Sequence, residues 1–273
     1  MVEVPQVRLN NGVEIPQFGF GVFQVPPERT AEVVRTAFEA GYRHIDTAQG
    51  YRNEEGVGQA VRESGLSRDE VFITTKLENS RHGDPVRALE ESLKRLGTDH
   101  VDLFLIHWPR PRHDQYVHAW NCLEQLLADG RARAIGVSNF QVPHLQRLAE
   151  ESGTVPAVNQ VELHPRLPQA ELRAYHRENA IATEAWSPLF QGGDLLEDPV
   201  LSDLAARHGK TPAQVVLRWH VQLGNIVFPK SSTPARIAEN IDVFDFELPA
   251  EHMAAIDGLN TGTRRGPDPD TFG

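Results

Sequence analysis

Eight times along the chain, a short run of aliphatic and β-branched residues gives way to a longer stretch with apolar residues at helical spacing. The strand-like runs fall at residues 18–22, 44–46, 71–76, 101–107, 132–138, 157–161, 182–186 and 226–229. The helix-like stretches fall at 28–40, 53–64, 84–96, 116–129, 142–150, 169–179, the pair 200–208 and 212–223, and 233–243. Such alternation implies parallel strands, because a helical crossover returns the chain to start each strand in the same direction. A doubly wound sheet carries a Gly-x-Gly-x-x-Gly turn after its first strand, whereas Gly19-Phe20-Gly21 lies inside the first strand here. The pattern therefore predicts one (β/α)8 barrel over residues 1–273. Barrels of this type commonly use about 250 residues.

Local punctuation agrees. Gly41, Gly97 and Gly130 follow helix-like stretches as left-handed caps, and Thr211-Pro212 reads as an N-cap with proline at the first helical position. Ahead of the alternation, residues 7–9 and 13–15 flank Asn10-Asn11-Gly12, a hairpin signal. This hairpin is expected to act as a lid or plug outside the main sheet. The tail, residues 259–273, is rich in Gly, Pro, Asp and Thr and is expected to lie irregularly over a surface or a site mouth.

With 27 Lys and Arg against 38 Asp and Glu, the formal charge is −11. A net acidic chain argues against nucleic acid or an anionic membrane as main partner. Cys122 is the only cysteine, which excludes an intramolecular disulfide and suits a reducing compartment. The opening residues show neither a basic start nor a long apolar run. A cytoplasmic monomer acting on a small molecule is expected.

Three successive strand-like runs end on ionisable residues: Asp46, Lys76 and His107. In a parallel barrel all three ends open on one face, where barrel enzymes keep their chemistry. Tyr51 follows Asp46 closely and joins them. The four residue types suit proton delivery to a carbonyl oxygen. A phenol has a reference pKa of about 10, and an adjacent ammonium lowers it by stabilising the phenolate. Lys76 supplies that ammonium, Asp46 holds it charged and aimed, and His107 donates to the substrate oxygen. Singly, each residue has an ordinary structural reading: packing, a solvated charge, a helix cap or a satisfied core histidine. The functional reading rests on the four together.

Later strand ends show a second pattern. Ser138, Asn139 and Gln160 can satisfy a carboxamide, and Trp186 can stack on its ring, as nicotinamide requires. Ser-Asn and Ser-Pro are equally ordinary turn chemistry. The eighth strand runs into Lys230-Ser231-Ser232-Thr233, with Arg236 and Asn240 on the following helix. Hydroxyls, cations and a helix N-terminus suit an anion, although a plain N-cap with exposed cations would read the same.

Taken together, these stretches resemble the aldo-keto reductase superfamily: GYRHIDTAQGYRNEEGVG (41–58), TTKLENS (74–80), VDLFLIHWP (101–109) and IVFPKSSTPARIAENI (226–241), supported by GVSNF (136–140) and NQVELHP (159–165). The tail is similar to short-tailed bacterial members called 2,5-diketo-D-gluconate reductases. The resemblance covers nearly the whole chain. It implies NADPH-dependent carbonyl reduction on a (β/α)8 barrel without metal. It implies Tyr51 as general acid, Lys76 and Asp46 as its partners and His107 as substrate orienter. Ser138, Asn139, Gln160 and Trp186 fall to the nicotinamide. Ser187 and Leu189 fall along the cofactor's bridge, and Lys230, Ser231, Ser232, Thr233, Arg236, Glu239 and Asn240 at the adenosine 2′-phosphate. Phe23, Glu78, Trp108 and Phe190 are expected around the substrate.

The chain departs from the family pattern at several positions. Gln49-Gly50 replaces two small or apolar residues, Arg52 and Phe190 stand where glycine is common, Glu78 stands where tryptophan is common, and Trp186 replaces a tyrosine. A carboxylate at position 78, able to pair with Arg52 or Arg81, predicts a polar wall favouring small or hydroxylated carbonyls, with a 2,5-diketo-D-gluconate-like compound a less secure fit. Two competing readings are a Schiff-base aldolase using Lys76 and a slow, redox-sensing subunit of a larger assembly.

Overall fold

The structure, a computed structural model, describes residues 3–272. Eight parallel strands form the sheet: β3 (Phe20–Gly21), β4 (His44–Asp46), β5 (Phe72–Leu77), β6 (Val101–Ile106), β7 (Ala132–Ser138), β8 (Val158–Glu162), β9 (Ala182–Trp186) and β10 (Ile226–Val227), each beside its sequence neighbour. A parallel bridge between Phe18 and Val227 brings the first and last strands together. The expected (β/α)8 barrel is what forms. The outer strands pair over fewer residues than the sequence suggests, because closure there uses single contacts such as Gly19 N–H donating to Val227 O (2.9 Å).

Helices α1 (Pro27–Glu39), α2 (Glu54–Glu63), α3 (Pro85–Leu96), α4 (Tyr116–Ala128), α5 (Val142–Glu151) and α6 (Ala170–Glu178) follow β3 to β8 in turn. The pair α7 (Pro199–His208) and α8 (Pro212–Gln222) follows β9, and α9 (Pro234–Ile241) follows β10. Gly97 caps α3 in the left-handed region at φ 69°. Thr211 and Gln214 form a reciprocal capping box on α8. A further helix, α10 (Ala250–Asp257), was not expected; it is short and buries only Ile256 fully, so it carries little apolar periodicity.

Strand residues alternate between helices and barrel interior. Thr75 faces out and donates to Glu54 on α2 (2.6 Å), so Thr74 and Lys76 face in. Thr183 and Asn159 face out toward His176 on α6 (both 2.9 Å), so Glu184 and Gln160 face in. The N-terminal end of the interior is apolar: Phe72, Leu103, Leu105, Ile226 and Phe228 cluster with Leu9 and Ile15 from the antiparallel pair β1 (Gln6–Arg8) and β2 (Glu14–Pro16). The hairpin is thus the plug of that end. Its turn is fastened by Asn10 Nδ2 donating to Pro156 O (3.1 Å) and Asn11 Nδ2 to Arg133 O (3.0 Å).

Candidate active site

At the opposite end the interior turns polar. Asp46, Lys76 and His107 sit at the ends of β4, β5 and β6, and a one-turn helix over Gln49–Tyr51 carries Tyr51 above them. Lys76 is fully buried and donates to both Asp46 carboxylate oxygens (2.7 and 2.8 Å) and to Thr47 O (3.0 Å). Nζ lies 5.1 Å from the Tyr51 ring centroid, and both its charge and its hydrogen bonding favour the phenolate. Burial works against the ammonium, but Asp46, Tyr51 and Glu184 together outweigh it and leave the Lys76 pKa above its usual value.

Tyr51 and His107 keep part of their surface open, with their rings edge to face and centroids 5.8 Å apart. Burial raises the Tyr51 pKa, and the pull of Lys76 only partly offsets it. Lys76 pulls the phenol down, as the sequence predicts, but in this state desolvation outweighs that pull and the phenol stays protonated. Burial, and next the charge of Lys76, push the His107 pKa down to about 3, so the imidazole is neutral. Its ring makes no hydrogen bond to protein among the described residues and is free to donate into the cup.

The amide cluster joins this group. Asn139 accepts from Trp186 Nε1 (2.8 Å) and donates to His107 O and Ser138 Oγ (both 3.0 Å). Ser138 Oγ donates to Gln160 O (2.8 Å). Gln160 Nε2 donates to Asp46 Oδ1 and Glu184 Oε2 (both 2.9 Å). One network thus runs from the Trp186 indole to the Lys76 ammonium, and Gln160 Oε1 is left without a protein partner among the described residues. Asn139 (φ 64°) and Ser187 (φ 50°) hold left-handed backbone here, a strain that clusters at functional sites.

Around the cup, Phe23 is half exposed with its ring tilted against Tyr51 (centroids 5.1 Å apart), while the Trp108 ring lies 6.5 Å from Trp186 and 4.5 Å from Phe272 of the tail, centroid to centroid. Glu162 at the end of β8 accepts the backbone N–H groups of Arg265 and Gly266, so the irregular tail lies over the mouth. Phe190 is buried in left-handed backbone (φ 56°) and packs on His164, with the Arg166 and Arg265 guanidinium groups 4.9 and 4.1 Å from its ring centroid. Its nearest company is thus the tail and the loop after β8. Leu189 packs against the main core.

Glu78 lies beside Gly50 and accepts from Asn79 N–H (3.2 Å). The expected pairing with Arg52 or Arg81 is absent: Arg81 bonds Glu91 (2.9 Å) and Asp84 (3.4 Å), and Arg52 caps the Gln49–Tyr51 turn at φ 58°. Two carboxylates on and before α3 outcompete Glu78 for Arg81. Gln49 also points away from the cup, donating to Ala88 O (2.6 Å) and Ser92 Oγ (2.8 Å) and accepting from Glu78 N–H (2.8 Å). It ties the Tyr51 turn and the Glu78 loop to α3.

Beyond β10, Lys230, Ser232, Thr233 and Arg236 are exposed around the start of α9, with Ser231 and Asn240 buried behind them. Ser231 Oγ accepts from Thr233 N–H (3.1 Å). Lys210 is neutralised by Asp242 and Asp245, but Lys230 and Arg236 form no ion pair among the described residues. Glu239 takes a bond from Thr211 Oγ1 (2.9 Å), which joins α9 to α8.

The Aldo/keto reductase family model matches residues 17–261. The chain belongs to the aldo/keto reductase family. An aldo-keto reductase of Mycolicibacterium smegmatis is 55% identical over 270 residues, covering 98% of each chain. The methylglyoxal reductase DkgA of Escherichia coli is 50% identical over 268 residues, again 98% of each. Among solved structures, a mutant of Gox0644 in complex with NADPH superposes with a TM-score of 0.95 at 45% identity, covering 99% of each chain.

Within this aldo/keto reductase, sequence reasoning missed Glu184. The signal was present, because alternation along Ala182-Thr183-Glu184-Ala185-Trp186 puts Glu184 on the face of Trp186. Burial, and next the Asp46 charge, push the Glu184 pKa up to about 8. Its Oε1 has no hydrogen-bond partner among the described residues.

Proposed function

We propose that the protein reduces small carbonyl compounds with NADPH, dicarbonyls of the methylglyoxal type foremost. The observation that carries this reading is the buried Lys76–Asp46 pair beneath a protonated Tyr51 and a neutral His107. The polar residues fit the cofactor. Among the described residues, Gln160 Oε1 lacks a partner, the Trp186 ring is partly open, and Lys230 and Arg236 form no ion pair. Ser138, Asn139, Gln160 and Trp186 would hold the nicotinamide, Ser187 and Leu189 the bridge, and the segment from Lys230 to Asn240 the 2′-phosphate. When bound, NADPH supplies the hydride.

The chain's own residues do the rest. His107 and Tyr51 receive the carbonyl oxygen between them. As negative charge develops there, Tyr51 gives its proton to the oxygen, and the Lys76 ammonium stabilises the phenolate left behind. Asp46 keeps Lys76 charged and aimed. A Schiff-base role for Lys76 finds no support: an amine attacking a carbonyl must be neutral and reachable, and Lys76 is charged and fully buried.

Glu78 beside Gly50 gives the mouth a polar wall suited to small, hydrated carbonyls, and relatives named methylglyoxal reductase lie close in sequence. The test is NADPH oxidation with methylglyoxal, an aromatic aldehyde and a keto acid, by the parent and by Glu78→Trp. The parent is expected to favour methylglyoxal, and the variant to shift toward the aromatic aldehyde. An unchanged ranking removes position 78 from the substrate site.

A further inference from the structure

Gln160 and Glu184 are direct partners across the β8–β9 ladder, so their side chains are adjacent on the inner face. On its other side Glu184 pairs with Ile226, which offers no polar atom. Glu184 is completely buried, and one of its oxygens has no partner. Burying a carboxyl with half its capacity unmet is costly, and an aliphatic residue would avoid that cost. Packing does not explain an acid here.

Its one bond does. The Gln160 amide has a donor end and an acceptor end of nearly equal size, so shape alone does not fix its orientation. Asp46 Oδ1 and Glu184 Oε2 each take one hydrogen from Nε2 at 2.9 Å. A flipped amide would set its oxygen against both acceptors, repelled by Asp46, which keeps its Lys76 donor, and leaving Glu184 with no donor. With both hydrogens spent inward, the only part of the amide left for a ligand is Oε1.

We propose that Glu184 is a positioning residue of the cofactor site: with Asp46 it fixes the Gln160 amide so that the cup presents a hydrogen-bond acceptor, which selects a carboxamide N–H on the incoming ring. The inference rests on the reading that Gln160 meets the nicotinamide. The lock is tightest above about pH 8, where ionised Glu184 only accepts. A neutral Glu184 also carries a hydroxyl that serves a flipped amide, and Asp46 then holds the orientation, so binding is compared above that pH. The charged groups bearing on Glu184 are Asp46 from β4 and Lys76 from β5, with His44 and His107 both neutral.

The experiment uses the purified full chain without substrate. Binding of NADPH, and of its reduced 3-acetylpyridine analogue, is followed by quenching of protein fluorescence. The analogue keeps the carbonyl oxygen but has a methyl group where the carboxamide has NH2. The parent is expected to prefer NADPH by about tenfold, the size of one hydrogen bond. Gln160→Leu is expected to lose that preference, and Glu184→Leu to lose it nearly as completely. The double variant should do no worse than Gln160→Leu alone, and Glu184→Gln, which offers a donor beside its acceptor oxygen, should restore only part of the preference.

If Gln160→Leu keeps the preference, the placement of Gln160 at the nicotinamide is wrong. If Gln160→Leu loses it and Glu184→Leu keeps it, the placement stands and the positioning role is overturned. Equal weakening of both ligands by Glu184→Leu, or additive losses in the double variant, also overturns the role, since a general structural defect does not distinguish NH2 from methyl. Melting of each variant without cofactor checks its fold. Should Glu184→Leu fail to fold, Glu184→Met fills a similar volume without the acceptor and carries the same comparison.

Discussion

The two ends of the barrel interior are built from the same strands on opposite physical terms. The plugged end packs Phe72, Leu103, Leu105, Ile226 and Phe228 against Ile15 and Leu9 of the hairpin. Four residues beyond Phe72 on β5 the mouth holds Lys76, joined by Asp46 from β4, Gln160 from β8 and Glu184 from β9, all nearly or fully buried. Backbone strain divides the same way. Connections at the plugged end turn left-handed mostly at glycines such as Gly97 and Gly130, with Ala180 (φ 54°) the non-glycine case, whereas the mouth does so at Arg52, Asn139, Ser187 and Phe190. One end spends its burial on stability, and the other accepts buried charge and strain to position reactive groups.

The contrast is most easily broken at Tyr51, the proposed general acid. Tyr51→Phe removes only the proton donor, and kcat/KM for methylglyoxal is expected to fall roughly 10²–10⁴-fold, with NADPH binding near that of the parent. A variant that reduces carbonyls at the parental rate would end the assignment of Tyr51 as acid.

Lys76→Met leaves Asp46 buried without its cation. Urea unfolding should show a loss of about 3–5 kcal/mol together with loss of turnover. Ile15→Ala at the other end opens a cavity in the plug and should cost about 2–5 kcal/mol with kcat retained. Parental stability in the first variant, or loss of kcat in the second, would show that the ends are not separable in this way.

The pH dependence of stability sharpens the comparison. The folded pKa of Glu184, about 8, lies above that of an unfolded carboxylate. The folded state therefore holds an extra proton between roughly pH 4 and 8. The contribution of neutral Glu184 is fully present below the unfolded pKa and is lost as pH rises through about 8. Glu184→Gln carries no such proton, so its stability relative to the parent should rise across that window, by an amount on the order of a few kcal/mol, and level off above it. Denaturant midpoints at pH 5, 7 and 9, values spanning the folded pKa of about 8, measure this, and a constant difference would place the titration elsewhere. The buried histidines act oppositely. His44 and His107, pushed down to about 4 and 3, contribute stability above the ordinary histidine pKa that is lost as pH falls.

The smallest effect concerns strain. Arg52 sits at φ 58°, a conformation costing a non-glycine residue about 1–2 kcal/mol, offset in part by the greater unfolded-state freedom of glycine. Arg52→Gly should therefore stabilise by no more than about 1 kcal/mol, read as a small rise in Tm. Destabilisation would mean that the arginine makes compensating contacts at the mouth.

The sequence by itself determined the repeating architecture, because helical and strand periodicities are local properties of consecutive residues. It also brought Asp46, Lys76 and His107 to one face, since parallel strand ends share a side whatever the packing. Asn10-Asn11-Gly12 marked the hairpin, though only the packed barrel shows which end it closes. What the tertiary structure decided were balances between residues far apart in the chain. Arg81 had three acids within reach, and geometry assigned it to Glu91 and Asp84 and left Glu78 to Gly50. Tyr51 had a lysine to lower its pKa, but the surrounding protein desolvates the phenol more strongly than that charge stabilises it. Glu184 becomes visible as an unmet buried carboxyl only when β8, β4 and β9 curve into one barrel and Gln160 lies between it and Asp46. Hydrogen bonds and desolvation act over a few ångströms in space, and residues separated by 114 positions, as Asp46 and Gln160 are, meet only after folding.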